Sequence, residues 1–201
     1  PVRLPFKVNV LNIKTKNQDV ECTRKLLKSL CPQVVVVDHH EIDQRYLDKI
    51  KPFSGLLVAI DDLNRHIFAD VVINVNTFSL KMKYNHNKGS VLLGPRYAMV
   101  KRISPRKRVS VRAKKVLISM GGADILNLTP LVLRALKEVK TIKATVVIGP
   151  AFTNEKEVSK SVVGDDRFSI VKTSNLPQLM LQHDVAICGG GTTLYELAAT
   201  G

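Results

Sequence analysis

Short β-branched runs alternating with stretches of helical length constrain this chain more than any other feature. In the first half, "VVVVD" (34–38), "LLVAID" (56–61) and "VVINV" (71–75) are continuous apolar runs. Runs of this kind are typical of strands covered on both faces, as in a parallel sheet. In the second half the pattern resumes with "VLISM" (116–120), "ATVVIG" (144–149), "FSIV" (168–171) and "DVAIC" (184–188). Between the runs, Asp19 is placed to cap a helix over about 20–30 with Leu26, Leu27 and Leu30 inward. Further helices are expected over about 128–139, 154–162, 176–182 and 193–200. Strands separated by helices imply βαβ units and an α/β fold of two Rossmann-like halves. The boundaries are 1–100 and 116–201, joined by the basic stretch "KRISPRKRVSVRAKK" at 101–115. Each half offers about four strands where a doubly wound sheet has five or six. The second half ends with its last helix, so both halves are expected to be incomplete.

The charge belongs largely to that joining stretch. The formal net charge is +14, and eight of the 31 Lys and Arg fall within 101–115, with no acid among them. Nucleic-acid binders of single strands interleave aromatics with their charges, and this segment has none. A nucleic-acid partner is therefore disfavoured. The segment reads as a solvated linker, or as a weak contact to an anionic ligand or membrane surface. Cys22, Cys31 and Cys188 have no metal-ligand spacing, and an odd count argues against a disulfide framework. No apolar run approaches the roughly 20 residues of a membrane span, and "PVRLPFKVNV" lacks a signal-peptide pattern. A cytoplasmic protein with no cofactor and no metal is expected.

Two glycine-rich turns lie where chemistry is expected, at the carboxyl ends of strands. In "SMGGADILNLT" (119–129), Gly121 and Gly122 let backbone N–H groups approach an anion, and the helix near Leu128 aims its positive end there. Asn127 is the natural N-cap of that helix, and Asp124 lies within the turn. In "CGGGTTLYE" (188–196), Gly189, Gly190 and Gly191 precede Thr192, Thr193 and Glu196. Two hydroxyls and a helix N-terminus suit a diphosphate, and Glu196 is placed to accept the hydroxyls of a ribose. The alternatives are a plain βα turn and a capping box between Thr193 and Glu196. Neither turn matches G-x-x-x-x-G-K-[ST] or G-x-G-x-x-G, which disfavours the usual ATP and NAD sites.

These stretches carry a resemblance. The second half is similar to the nucleotide-binding domain of GT-B glycosyltransferases, especially the enzyme that adds N-acetylglucosamine to the lipid-linked peptidoglycan precursor. Over nearly the whole chain, "VVVVDHHEID" (34–43), "VAIDDLNRH" (58–66), "DVVINVN" (70–76), "LLGPRYAMVK" (92–101), "LISMGGADILNLT" (117–129) and "CGGGTTLYE" (188–196) resemble a narrower group in order and spacing. That group is the UDP-sugar hydrolase of pseudaminic acid biosynthesis and the spore-coat polysaccharide proteins similar to it. The resemblance implies a GT-B-like, two-domain enzyme of surface polysaccharide or glycoconjugate biosynthesis whose second domain holds UDP. The diphosphate would lie against Gly121, Gly122 and the Gly190–Thr193 turn, Glu196 would hold the ribose, and the uracil edge would meet backbone near Val171. Hydrolysis of a UDP-linked, amino-modified deoxy sugar is the leading expectation. An inverting glycosyltransferase is the runner-up, and a non-catalytic nucleotide-sugar binding module the third reading.

Two departures stand out. The group's glycine-rich turn with a central histidine, after its first strand, is absent from this sequence. His40 stands where the group has tyrosine, in "DHH" (Asp38, His39, His40). These three are the candidate catalytic residues of the first half. Read from the residues alone, they suit a functional polar cluster, strand-end capping or, less readily, a metal, because adjacent side chains leave a strand on opposite faces. Asp61 and Asp62 read either as an acidic metal site or as a loop start capped by Asp62. His66, His86 and His183 read as surface histidines, Cys188 as a buried strand end, and Tyr97 as a packing or interface residue.

Overall fold

The computed structural model describes residues 6–39, 41, 43–84, 87–101, 111–173 and 175–201. The chain divides into two compact units, 1–98 and 99–201.

The first unit opens with α1 (Lys16–Leu30), β1 (Val34–Val37), α2 (Gln44–Ile50) and β2 (Leu56–Ile60). It continues with β3 (Val71–Asn74), a 3₁₀ turn at Thr77–Lys81, and β4 (Ser90–Leu93). Its strands form a parallel sheet in the order β1-β2-β3-β4. Val20, Leu27, Tyr46, Leu47 and Ile50 pack from the helices onto Leu57 and Ala59. Each such side chain, fully buried, contributes about 1.5–3 kcal/mol.

Three expectations for this unit need correction. Thr15, not Asp19, caps α1: its side chain accepts from the Gln18 N–H, so the helix starts four residues earlier than expected. Asp19 instead accepts hydrogen bonds from Thr23 and Tyr46. Leu30 is half exposed rather than inward, because it lies at the end of α1 beyond the packed turn. β1 is an edge strand, so Val34 and Val36 stay 50% and 59% exposed instead of being covered on both faces. Strand β4 and helix α2 lacked a pattern strong enough to be expected from sequence.

The second unit contains β5 (Lys115–Ser119), α3 (Leu128–Lys137), β6 (Lys143–Val147), α4 (Glu155–Val162), β7 (Phe168–Val171), α5 (Leu176–Gln182), β8 (Val185–Cys188) and α6 (Thr192–Thr200). The parallel order is β7-β6-β5-β8. Val116, Ile118, Val146 and Ile148 pack with Leu133 and Val158, which are fully buried, so α3 and α4 cover one face. Leu117 and Val147 pack with Met180, Leu179 and Leu197, so α5 and α6 cover the other. This double covering makes β5 and β6 continuous apolar runs. The crossover from β7 to β8 places β8 beside β5, which brings the two glycine-rich turns to neighbouring strand ends. Among the described residues no helix is long and apolar enough to cross a membrane.

Candidate functional site

In the second unit, the turns after β5 and β8 meet around a cavity of about 490 Å³. Gly122, Gly189 and Gly190 line one side, and Met120, Ile125 and Leu126 supply aliphatic surface. The glycines here are of two physical kinds. A Cβ on Gly149 would come within 2.4 Å of the carbonyl oxygens of both Gly121 and Gly122. Glycine at 149 is therefore a packing requirement that lets the loop after β6 brace the first turn, sealed by the Ala151 N–H bond to Gly122 O at 2.9 Å. A Cβ on Gly122, Gly190 or Gly191 would meet nothing within 4 Å, and none of these three has a left-handed φ. Neither packing nor backbone conformation within the fold requires glycine at these three positions. Gly121, with φ +81, is required by its turn.

Helix α6 begins at this turn with no side chain capping it and no acid in its first turn. Among the described residues, neither a cap side chain nor a first-turn acid compensates its partial positive charge. Because the helix starts at Thr192, Thr193 is already inside it, and the capping box with Glu196 does not form. Thr193 is buried and Thr192 exposed. Glu196 follows one turn on, half-buried, its side chain without a hydrogen-bond partner among the described residues.

The turn after β5 differs from expectation. Asn127 sits at the N-cap of α3 with left-handed backbone, but its side chain makes no cap bond. Asp124 does that work: its carboxylate accepts from the N–H groups of Leu128 (2.8 Å) and Thr129 (3.0 Å) and from Asn154 Nδ2 (3.1 Å). Burial pushes the Asp124 carboxyl up, but hydrogen bonds from Thr129, Leu128 and Asn154 outweigh it and hold the group below the usual aspartate range. Asp124 is therefore engaged as a buried cap while also lining the cavity, and its charge offsets the end of α3 expected to attract an anion. Asn127 turns instead to Glu157, donating at 3.0 Å. At the end of β7, the Val171 carbonyl already accepts from Ile148 N–H at 2.9 Å. Cys188 ends β8 half-buried, and burial raises its thiol pKa. His183 is not a free surface group: its ring nitrogens lie 2.6 Å from Leu179 O and 2.8 Å from Thr145 Oγ1.

In the first unit, Asp38 and His39 leave β1 exposed at its carboxyl end. Both line a cavity of about 200 Å³ with Asp62, Leu63 and Arg65. His39 also borders a second cavity, of about 270 Å³, beside Lys16, Asp19 and Tyr46. His39 Nδ1 accepts from the Glu41 N–H at 3.2 Å. His40 and His86 lie outside the described residues, as do 102–110 of the basic segment. The metal reading of Asp61 and Asp62 gives way to a different role. Asp61 is fully buried and accepts from Arg65 Nε (3.0 Å), the Arg65 N–H (2.9 Å), the Leu63 N–H (3.2 Å) and the Tyr84 hydroxyl (3.2 Å). Asp61 rather than Asp62 organises this loop, while Asp62 accepts from Asn76 Nδ2. Among the described residues no group of three or more His, Cys, Asp or Glu is placed to hold a metal. Gly149, Asn154 and Arg65 escaped sequence reasoning. A Gly-Pro turn after β6 was the one local signal for Gly149.

Comparisons with known proteins bear on this arrangement. No protein-family model matches the chain. The uncharacterized protein MJ1062 of Methanocaldococcus jannaschii is 30% identical over 190 residues, which cover 86% of this chain and 39% of that protein. The spore coat polysaccharide biosynthesis protein SpsG of Bacillus subtilis is 27% identical over 201 residues, covering 94% of this chain and 59% of SpsG. The chain thus spans about two-fifths to three-fifths of the length of these relatives. Among solved structures, the pneumococcal O-GlcNAc transferase GtfA in complex with UDP and GlcNAc matches with TM-score 0.57 at 15% identity, over 88% of this chain and 42% of GtfA. The fold is GT-B-like. The GtfA/B complex matches with TM-score 0.50 at 12% identity, over 90% of this chain and 44% of the matched chain. The chain is thus similar in sequence to SpsG over part of that protein's length, and similar in fold to GtfA.

Proposed function

We propose that the second unit holds the UDP of a nucleotide-sugar donor, and that the protein passes the sugar to an alcohol in polysaccharide or glycoconjugate assembly. The bare glycine backbone at the uncapped start of α6 carries this reading, because it leaves N–H groups open to close approach by a diphosphate. Gly190, Gly191, Thr192 and Thr193 would take the diphosphate, Gly121 and Gly122 would flank it, and Glu196 would accept the ribose hydroxyls. The uracil edge would meet backbone near Val171, whose carbonyl also accepts from the Ile148 N–H. Asp38, His39 and His40 of the first unit would serve the acceptor. The hydroxyl oxygen attacks the anomeric carbon, the bond from that carbon to the diphosphate oxygen breaks with its electrons leaving on UDP, and a base takes the hydroxyl proton.

Hydrolysis, the leading expectation from sequence, has less behind it than transfer. A protein alike in fold is an O-GlcNAc transferase, and a curated relative is a protein of spore coat polysaccharide biosynthesis. Calorimetric titration of UDP into the wild type and Glu196→Ala tests the donor site. Saturable binding weakened in the variant supports it, and wild-type binding unaffected by the substitution removes Glu196 from the site. Incubation with UDP-sugars, with and without alcohol acceptors, then separates the chemistries. Free sugar released without acceptor at the same rate would restore hydrolysis.

A further inference from the structure

The loop between β2 and β3 ties two strand ends together through one arginine. Arg65 spreads its guanidinium over three acceptors from two strands: Asp61 Oδ1 at 3.0 Å, Ile60 O at 3.2 Å and His39 O at 3.0 Å. Ile60 ends β2, and His39 lies two residues beyond β1, 26 positions earlier in sequence. The arginine therefore ties the exit of one strand to the exit of its neighbour. It is itself held in place. Its side chain is about one-fifth exposed, and its partner carboxylate on Asp61 is fully buried. The same carboxylate accepts from the Arg65 and Leu63 N–H groups, which folds residues 61–65 into a closed turn. Behind it stand Tyr84 and the fully buried Asn74, whose Nδ2 donates to the Tyr84 hydroxyl at 2.9 Å.

We infer that Arg65 is a positioning residue: through the His39 carbonyl it fixes the strand end bearing Asp38 and His39 at the mouth of the cavity they share. The inference rests on the proposed function, in which that strand end serves the acceptor. A planar fork is needed, since one lysine ammonium cannot reach three acceptors in fixed directions. The arrangement differs from a surface ion pair, because removing the guanidinium strands a buried carboxylate and frees a functional loop at once.

The test is Arg65→Lys, with Arg65→Ala plus added guanidinium as a second variant. A displacement of about 1 Å at a reacting group is worth up to about 100-fold in rate. In Arg65→Lys, kcat for sugar transfer is expected to fall roughly 10- to 100-fold. KM for the UDP-sugar and the Kd for UDP should stay within about twofold, being set by the other unit. The Glu41 amide, which donates to His39 Nδ1, should exchange with solvent at least about tenfold faster, while β6 amides are unchanged. Guanidinium should restore part of the kcat lost in Arg65→Ala. Unchanged Glu41 exchange, unchanged kcat, or a UDP affinity that falls in step with kcat each overturns the positioning role. If the wild type neither binds UDP nor transfers sugar, the proposed function fails first and this inference falls with it. Intact UDP binding with an unmoved Glu41 amide sinks the inference alone.

Discussion

Gly190→Ala should make the protein more stable and a poorer ligand for UDP. The added methyl meets no atom within 4 Å, and the backbone at 190 is outside the left-handed region. Alanine then costs nothing in the native state and trims the freedom of the unfolded chain, a gain of about 0.4–1 kcal/mol. For a unit of this size that corresponds to a rise in Tm of roughly 2–6 °C. On the proposed function, the same methyl would stand between the backbone N–H groups and a phosphate oxygen of UDP. Losing one hydrogen bond to a charged oxygen costs about 1.5–3 kcal/mol, or about 10- to 150-fold in Kd. Gly149→Ala is the contrasting control. Its Cβ would press to 2.4 Å on two carbonyl oxygens, and overpacking of this kind costs about 1–3 kcal/mol. That variant should lose several degrees of Tm and UDP affinity together. Thermal unfolding by circular dichroism and titration calorimetry read both quantities. The reasoning is refuted if Gly190→Ala melts lower, as Gly149→Ala should, or if it melts higher while binding UDP as well as the wild type.

Three further outcomes follow from particular contacts. Asp124→Ala, which uncaps α3, should cost about 0.5–2 kcal/mol at pH 7. The folded-state pKa of Asp124 is depressed, so its contribution is present above the ordinary aspartate pKa and lost as pH falls through the lowered value. The gap between wild type and variant in urea unfolding should accordingly narrow by pH 3, and a constant gap would count against the cap. Cys31 closes α1 with φ +45, a conformation that glycine adopts freely, so Cys31→Gly should raise stability by about 0.5–1 kcal/mol in denaturant unfolding. Cys188, half-buried with its thiol pKa pushed up by burial, should alkylate far more slowly at neutral pH than exposed Cys31, with mass spectrometry of timed iodoacetamide digests as the check.

Much of the fold was legible because it rests on local periodicity. Val116 to Ser119 or Ala144 to Val147 can only be satisfied by a strand covered on both faces, whichever helices do the covering. Helix α5 fell at 176–182 as expected, because the proline at its start and its apolar spacing are properties of neighbouring residues. Edges were not legible. Val34–Val37 has the composition of a central strand, and only the sheet order leaves it at the rim. The glycine-rich turns were also visible in sequence as turns, but which glycines the fold requires depends on atoms from other loops.

Sequence by itself determined the class of fold and the places where glycine leaves backbone bare, since both follow from patterns a few residues long. The tertiary structure decided which side chain does each job. Asp124 rather than Asn127 caps α3, supported by Asn154 from 30 residues away. Arg65 holds His39 across 26 residues, and Gly149 is glycine because Gly121 and Gly122 press against it. A hydrogen bond or a steric collision depends on distance in space, and distance in space between remote residues is set only when the sheets assemble.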